Sequence, residues 1–156
     1  MTEEWPVPTG GWGLAELTEL FASDPEELGD VDVAIEGDVL RITLKERGDL
    51  DVLMVATGEQ ILCGVNIVAA SEIPNREAFE RTLLAVHKLI PLSTFGITTV
   101  GSEEWYELFG SLSSLSEAHV LIEEVAVLAA NAVDAAEWVG EWIAAGGDAA
   151  KMGEAA

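Results

Sequence analysis

Four short stretches lie between residues 31 and 69 with only brief turns between them, and three of the four alternate apolar with polar residues. A strand places successive side chains on opposite faces, so this period of two predicts strands rather than helices. The apolar positions of these three are Val31, Val33 and Ile35, then Leu40, Ile42 and Leu44, and finally Ile61, Cys63, Val65 and Ile67. The remaining stretch, residues 50–57, is apolar on both faces after Asp51. With turns at Gly37-Asp38, Gly48-Asp49 and Gly58, the segment predicts a four-strand antiparallel meander.

Apolar residues recur at helical spacing before and after the meander. In the first helix they are Leu14, Leu17, Leu20 and Phe21, and in the second they are Phe79, Leu83, Val86 and Ile90. Asp24-Pro25 stops the first helix, Asn75 is the predicted N-cap of the second, and Pro91 ends it. Two further strands around a turn at Gly101-Ser102 then predict a hairpin.

A long helix is predicted from the Ser114–Glu117 spacing, typical of a capping box, to about Ile143. At 1.5 Å per residue it spans roughly 40 Å, more than a small sheet needs for cover. Its predicted buried stripe is Leu121, Val125, Leu128, Ala132, Ala136 and Val139. The order helix, four strands, helix, two strands, long helix predicts an α+β fold in which helices cover an antiparallel sheet.

The composition predicts one folded unit with looser ends. Residues 1–13 are rich in Pro and Gly and are predicted to form an irregular arm, residues 14–143 a single α+β domain, and residues 144–156 a flexible tail. The opening residues MTEEWPVP lack the basic and then apolar order of a signal peptide, and the most apolar run (118–145) carries five carboxylates. We therefore expect a soluble cytoplasmic protein without membrane insertion.

The formal net charge is −22, and its distribution is uneven. No Lys or Arg precedes Arg41, and none lies between Leu89 and Ala150. Binding to nucleic acid requires Lys and Arg to displace counterions, so a nucleic-acid function is excluded, and anionic lipid is disfavoured for the same reason. A basic protein partner is the natural complement, while solubility or a salt-adapted host would explain the same charge.

Residues capable of catalysis are few and scattered. Cys63 is the only cysteine and lies mid-strand among apolar residues, which favours a buried structural role over a nucleophile. His87 and His119 lie on different helices, and with one cysteine they lack the spacing of a metal site. Carboxylates are so abundant that their pairs carry little information. We expect no cofactor or metal; the alternative is a small hydrolase or metal-dependent enzyme using Cys63 or surface carboxylates.

Trp138 is the most informative residue of the long helix. Glu117, Glu124, Asn131 and Trp138 fall seven apart, which places this stripe on the polar side of the predicted helix. A large aromatic there is either a lid folded over the helix or a contact for another protein. The predicted contact residues are Trp138, Trp142 one turn away, Asp134 and Glu141.

One run carries a resemblance to a known family, at Pro91, Leu92, Ser93, Gly96, Ile97, Tyr106, Phe109 and Gly110. These residues resemble the YjfI-like family, a bacterial domain of unknown function. The family has no established activity, and its genes commonly lie beside those of PspA-like coiled-coil proteins of the envelope-stress response. The resemblance therefore implies a PspA-like partner. The element order is also similar to that of type III secretion chaperones and YbjN-like proteins, which bind other polypeptides.

These observations favour a non-enzymatic, chaperone-like binding or adaptor protein. It would hold a protein partner through its acidic helical face or an open sheet edge. A homodimer is compatible with this hypothesis and with the enzymatic alternative.

Overall fold

The computed structural model describes residues 5–152 of the chain. That part forms three α-helices and six strands, joined by short turns and 3-10 segments. Their bounds are α1 Leu14–Ala22, β1 Val31–Glu36, β2 Val39–Leu44, β3 Leu50–Ala56, β4 Gln60–Ala69, α2 Arg76–Val86, β5 Thr94–Val100, β6 Glu103–Ser113 and α3 Ala118–Ala144. The predicted α+β class and the order of elements are confirmed.

Within residues 5–152 the strands form one antiparallel sheet in the order β1-β2-β3-β4-β6-β5. The meander is therefore continuous, and the hairpin joins it through its second strand, β6. Cys63 of β4 lies opposite Gly110 of β6. This arrangement leaves β1 and β5 at the two edges of the sheet.

All three helices pack on the same face of the sheet. Helix α1 lies over β1 and β2, and α3 crosses β3, β4 and β6. The side chains that point toward them are fully buried, among them Ile42, Met54, Ile61 and Leu108. A smaller cluster forms where α2 meets the end of α3, around Phe79. The opposite face of the sheet is covered by none of the helices of residues 5–152.

The long helix begins later than predicted. Its N-cap is Glu117, without a side-chain hydrogen bond, so the capping box predicted at Ser114 is wrong. Ser114 is instead buried, and its backbone carbonyl accepts a hydrogen bond from the Trp12 backbone N–H (2.9 Å). The predicted stripe is wrong at Ala136, which is exposed, while Ala135 is buried in its place.

Both predicted loose ends contain residues that pack onto the domain. Trp12 is buried, and its indole N–H donates to the Ser116 carbonyl (2.8 Å). Gly147 is also buried, and its carbonyl accepts from the Asn75 side-chain amide (3.1 Å). The predicted N-cap Asn75 thus precedes α2 but uses its side chain to hold the segment after α3. The ends of the predicted arm (1–4) and tail (153–156) lie outside the described residues.

No helix in the range 5–152 is long and apolar enough to cross a membrane.

Candidate protein-binding surfaces

The uncovered face of the sheet carries an apolar depression of about 350 Å³, which we call the open-face trough. Val39 and Val100 both line it, although their strands lie four positions apart in the sheet. At about 4.8 Å between neighbouring strands, the trough therefore crosses roughly 19 Å of sheet. Its other apolar side chains are Leu53, Val55, Leu62 and Phe109, all half-buried.

Glu107 of β6 places a carboxylate in the open-face trough. Its oxygens lie over Gly96, the residue opposite on β5, and over Gly64, the diagonal residue on β4. A side-chain carbon would lie 3.5 Å from a Glu107 oxygen at position 96 and 3.4 Å from one at position 64. Glycine at both positions therefore leaves room for the Glu107 side chain to lie flat on the sheet. Burial raises the pKa of this carboxyl group. No Lys, Arg or His among residues 5–152 forms an ion pair with it.

Both family-motif glycines are explained by close contacts. Gly96 lies against the ring of Phe109, and a side-chain carbon at 96 would come within 2.9 Å of that ring. Gly110, on the helix side of β6, faces Glu124 of α3, whose carboxylate occupies the space of a side chain at 110. As predicted, Tyr106 and Phe109 point to opposite faces of β6: Tyr106 packs against Phe79, and Phe109 lines the trough.

The Pro91-Leu92-Ser93 motif is a tight turn held on α3. The Asn131 side-chain amide donates to the Pro91 carbonyl (2.8 Å) and to the Ser93 hydroxyl (2.9 Å). Leu92 has a φ of 62°, a left-handed conformation that is costly for a leucine, and its side chain is 58% exposed. The two hydrogen bonds hold the turn in place before β5 begins at Thr94.

The stripe predicted to be the polar side of the long helix instead faces the domain from Glu124 onward. Glu124 is only 4% exposed, and burial is the main reason its pKa is raised. Asn131 binds the turn described above, and Trp138 is half-buried, with its ring stacked on Phe79 at 5.3 Å between centroids. The prediction that this stripe is the polar side is therefore wrong. Gly110 leaves room for Glu124, and the Pro91–Ser93 turn supplies hydrogen-bond acceptors for Asn131.

Of the predicted contact residues on α3, Trp142 is not available at the surface. It is fully buried, and its indole N–H donates to the Pro74 carbonyl (2.8 Å), so its assignment as a partner contact is wrong. Asp134 and Glu141 are exposed. Trp138 and Asp134 line a depression of about 350 Å³ together with Leu89 and Pro91, which we call the α3 groove.

A family model described as "Uncharacterized protein conserved in bacteria (DUF2170)" matches residues 11–143. The chain belongs to this family. YjfI from Escherichia coli K12 is 33% identical over 131 residues, which cover 84% of this chain and 97% of YjfI, and YjfI from Escherichia coli O157:H7 matches equally well. The resemblance to the YjfI-like family is thereby confirmed.

Two solved structures share the fold of this DUF2170 chain at low sequence identity. A chain of the crystal structure of the ExsC–ExsE complex superposes with a TM-score of 0.60 and 12% identity, covering 82% of this chain and 97% of that one. YbjN from E. coli superposes with a TM-score of 0.52 and 14% identity, covering 79% and 94%. The predicted secretion-chaperone and YbjN-like topology is confirmed at the level of fold.

The candidate nucleophile of the DUF2170 chain is buried. Cys63 is 1% exposed beneath α3, and burial raises the pKa of its thiol to about 12, with the charge of Glu124 adding to the effect. Its S–H points to the Gly110 carbonyl (3.9 Å). A thiol with such a pKa is almost wholly protonated at neutral pH and is therefore a poor nucleophile.

Neither histidine is placed to act as a base for Cys63. The His87 Nε2 atom accepts a hydrogen bond from the Phe95 backbone N–H (3.0 Å), and the ring stacks on Phe95. His119 is exposed at the start of α3, 3.4 Å from Glu117. Within residues 5–152, no three side chains of His, Cys, Asp or Glu come together as metal ligands.

Proposed function

We propose that the protein is a non-enzymatic, chaperone-like binding protein that holds a segment of another protein on the uncovered face of its sheet. The observation that carries the proposal is Glu107, a half-buried carboxylate inside the apolar open-face trough that has no ion-pair partner within residues 5–152. An apolar depression with a few placed polar groups is typical of a binding site. A Lys or Arg of a partner would neutralise Glu107 while its neighbouring apolar residues fill the trough.

The net charge of −22 supports the same class of partner, because opposite fields accelerate encounter with a basic segment. The fold is shared with a chain of the ExsC–ExsE complex, in which one protein is bound to another. That likeness supports a protein partner without identifying it. The family resemblance suggests a PspA-like coiled-coil protein as that partner, and we include it in the proposal.

The test is quantitative copurification of the tagged protein from its native host, followed by affinity measurement with the purified partner. Glu107→Gln keeps the shape of the side chain but removes its charge. We expect binding at least about tenfold weaker, which corresponds to a loss of about 1.4 kcal/mol. Glu19→Gln is the matched control, because it removes one exposed charge on α1 and should bind normally.

The α3 groove is the second candidate surface, favoured by the half-exposed Trp138 beside Asp134. Trp138→Ala would also disturb the packing on Phe79, so the better variant is the double change Asp134→Asn with Glu141→Gln. Loss of binding in this double variant, with normal binding by Glu107→Gln, would contradict the trough and place the partner on the helix. Light scattering would show whether a second copy is the partner instead.

The form of the enzymatic alternative that uses Cys63 makes a separate prediction. A thiol-specific reagent at neutral pH should label the folded protein slowly and the urea-unfolded protein promptly, because burial suppresses the thiolate. Prompt labelling of the folded protein would restore the hydrolase alternative. The unfolded protein is the control for the folded one, because the chain has a single cysteine and the same thiol is labelled in both.

A further inference from the structure

In the part of the chain that the structure describes, the outer side of the edge strand β5 pairs with no other strand. The Phe95 N–H donates to His87 rather than to β6, so it points away from the sheet. The N–H and C=O groups of alternate residues in an antiparallel strand point to the same side, so those of Ile97 and Thr99 also face outward. The hairpin geometry gives the same alternation. Val100 and Glu103 flank its two-residue turn as the hydrogen-bonded closing pair, so the backbone groups of Val100 face β6 and those of Thr99 face outward.

The other edge, β1, is protected in a way that β5 is not. Asp32 and Glu36 of β1 form ion pairs across the strand pair, with Lys45 and Arg41 respectively, each at 3.1 Å. Charged side chains on an edge are a common device against pairing with another chain. Strand β5, with the sequence TFGITTV, has no charge, no proline and no bulge. It is therefore the edge that is ready to accept another strand.

An apolar depression of about 300 Å³ runs beside β5 on the helix side, between this strand and α2. We call it the β5 groove; Leu84, Phe95 and Ile97 supply its apolar walls, and Glu80 lies at its rim. Leu84 is 71% exposed and Ile97 is 49% exposed. A strand added to β5 would direct every second side chain toward this groove, and an apolar one would fit there.

A residue of an added strand that lies opposite Gly96 would point its side chain to the open face. Because Gly96 has no side chain, nothing on β5 would contact it there. The Glu107 carboxylate already reaches over Gly96, 3.5 Å from the position of a side-chain carbon there. It therefore lies about one strand spacing, roughly 4.8 Å, from an added strand. A Lys or Arg at that position could pair with Glu107.

We propose that β5 binds an extended segment of the partner as a seventh strand. This segment carries an apolar residue for the β5 groove and, on its other face, a Lys or Arg that pairs with Glu107 across Gly96. The inference rests on the proposed function and adds the mode of binding. A second copy of the chain fits less well, because its own β5 has no basic residue and each copy carries a charge of −22.

The variant that tests the edge is Thr99→Pro. Proline removes the outward N–H of residue 99 without removing a β5–β6 hydrogen bond, and proline is tolerated at such edge positions. Thr99→Ala is the matched control, because it shortens the side chain and keeps the N–H. Thermal unfolding of both variants establishes that they fold.

The probe is a synthetic peptide of roughly ten residues, about the length of a long strand, that alternates valine and lysine. Its acidic analogue alternates valine and glutamate. We expect the basic peptide to bind at least about tenfold more tightly than the acidic one, a difference of about 1.4 kcal/mol. Binding should slow hydrogen exchange of the Ile97 and Thr99 amides. It should weaken about tenfold in Thr99→Pro and Glu107→Gln, and stay normal in Thr99→Ala.

The possible failures are distinguishable. If the native partner binds wild type and Thr99→Pro equally, and no protection appears at Ile97 and Thr99, strand addition is wrong while the proposed function stands. If nothing binds the wild-type protein in either assay, both proposals fail. Concentration-dependent dimerisation that Thr99→Pro abolishes would assign the edge to a second copy and overturn the basic-segment proposal.

Discussion

Glycines make room for one carboxylate on each face of the sheet. Gly96 and Gly64 leave space for Glu107 on the open face, and Gly110 leaves space for Glu124 beneath α3. Both carboxyl groups have a raised pKa, chiefly because burial disfavours the charged form. Glu107 lies where a partner could neutralise it, whereas Glu124 is enclosed by the protein itself.

Glu124 should destabilise the folded protein at neutral pH. Its pKa is higher in the folded state than the ordinary value of a glutamate, so the folded state holds this proton more tightly than the unfolded state does. The stability contributed by the group is therefore greatest at low pH and falls as the pH rises through the unfolded and then the folded pKa. At about pH 7–8, Glu124→Gln should have a higher melting temperature than wild type. At about pH 4 the two melting temperatures should be similar.

Glu137→Gln is the control for that experiment, because Glu137 is an exposed carboxylate on the same helix. It removes one negative charge without relieving burial. A change of about 1 kcal/mol moves the melting temperature of a chain of this size by about 2–4 °C, so the difference is measurable. Equal shifts in both variants at every pH would show that net charge, not burial of Glu124, sets the effect.

Among the elements, α3 does more than cover the sheet. It supplies Val125 and Leu128 to the main core, Asn131 to the turn before β5, and Trp142 to the smaller cluster. Its length, which exceeds what a small sheet needs for cover, is explained by this second cluster at its far end. The same helix therefore positions both the open-face trough, through the sheet, and β5, through the turn.

Asn131→Ala should lower the free energy of unfolding by about 1–3 kcal/mol, because two hydrogen bonds to the turn are lost. Ser93→Ala removes only one of the two and should cost about 0.5–1.5 kcal/mol. Urea denaturation of both variants measures the difference. An Asn131→Ala variant as stable as wild type would show that the Pro91-Leu92-Ser93 turn is held by its own conformation and not by α3.

At the scale of the whole molecule, the surplus negative charge opposes compactness and attracts basic partners. Salt screens both interactions, because the Debye length falls from about 10 Å at 0.1 M to about 3 Å at 1 M. Screening of self-repulsion stabilises the fold, whereas screening of the attraction weakens binding. The melting temperature of the free protein should therefore rise with sodium chloride at pH 7, while affinity for the basic peptide falls. At about pH 4, where carboxylates take up protons, sodium chloride should raise the melting temperature less. A flat melting temperature at pH 7 would contradict self-repulsion.

Much of the fold could be predicted from local patterns. Alternation in Leu40, Ile42 and Leu44 predicts which face of β2 is buried, and the structure confirms it. The errors occur where a distant contact replaces a local rule. Ser114 has the spacing of a cap, yet Trp12, far away in the chain, uses its carbonyl. Trp142, one turn after Trp138, was predicted to contact a partner, yet it packs against Phe79 and donates a hydrogen bond to the Pro74 carbonyl.

The sequence by itself determined the class of fold, the antiparallel meander, the family and the one-sided charge, because each depends on residue order or composition alone. The tertiary structure decided which strands form the edges of the sheet, which face the helices leave uncovered, and that Glu107 lies between two glycines without an ion-pair partner among residues 5–152. Those properties depend on strand order and on the side to which each helix packs. Both are set by contacts between residues far apart in the chain, which no local pattern encodes.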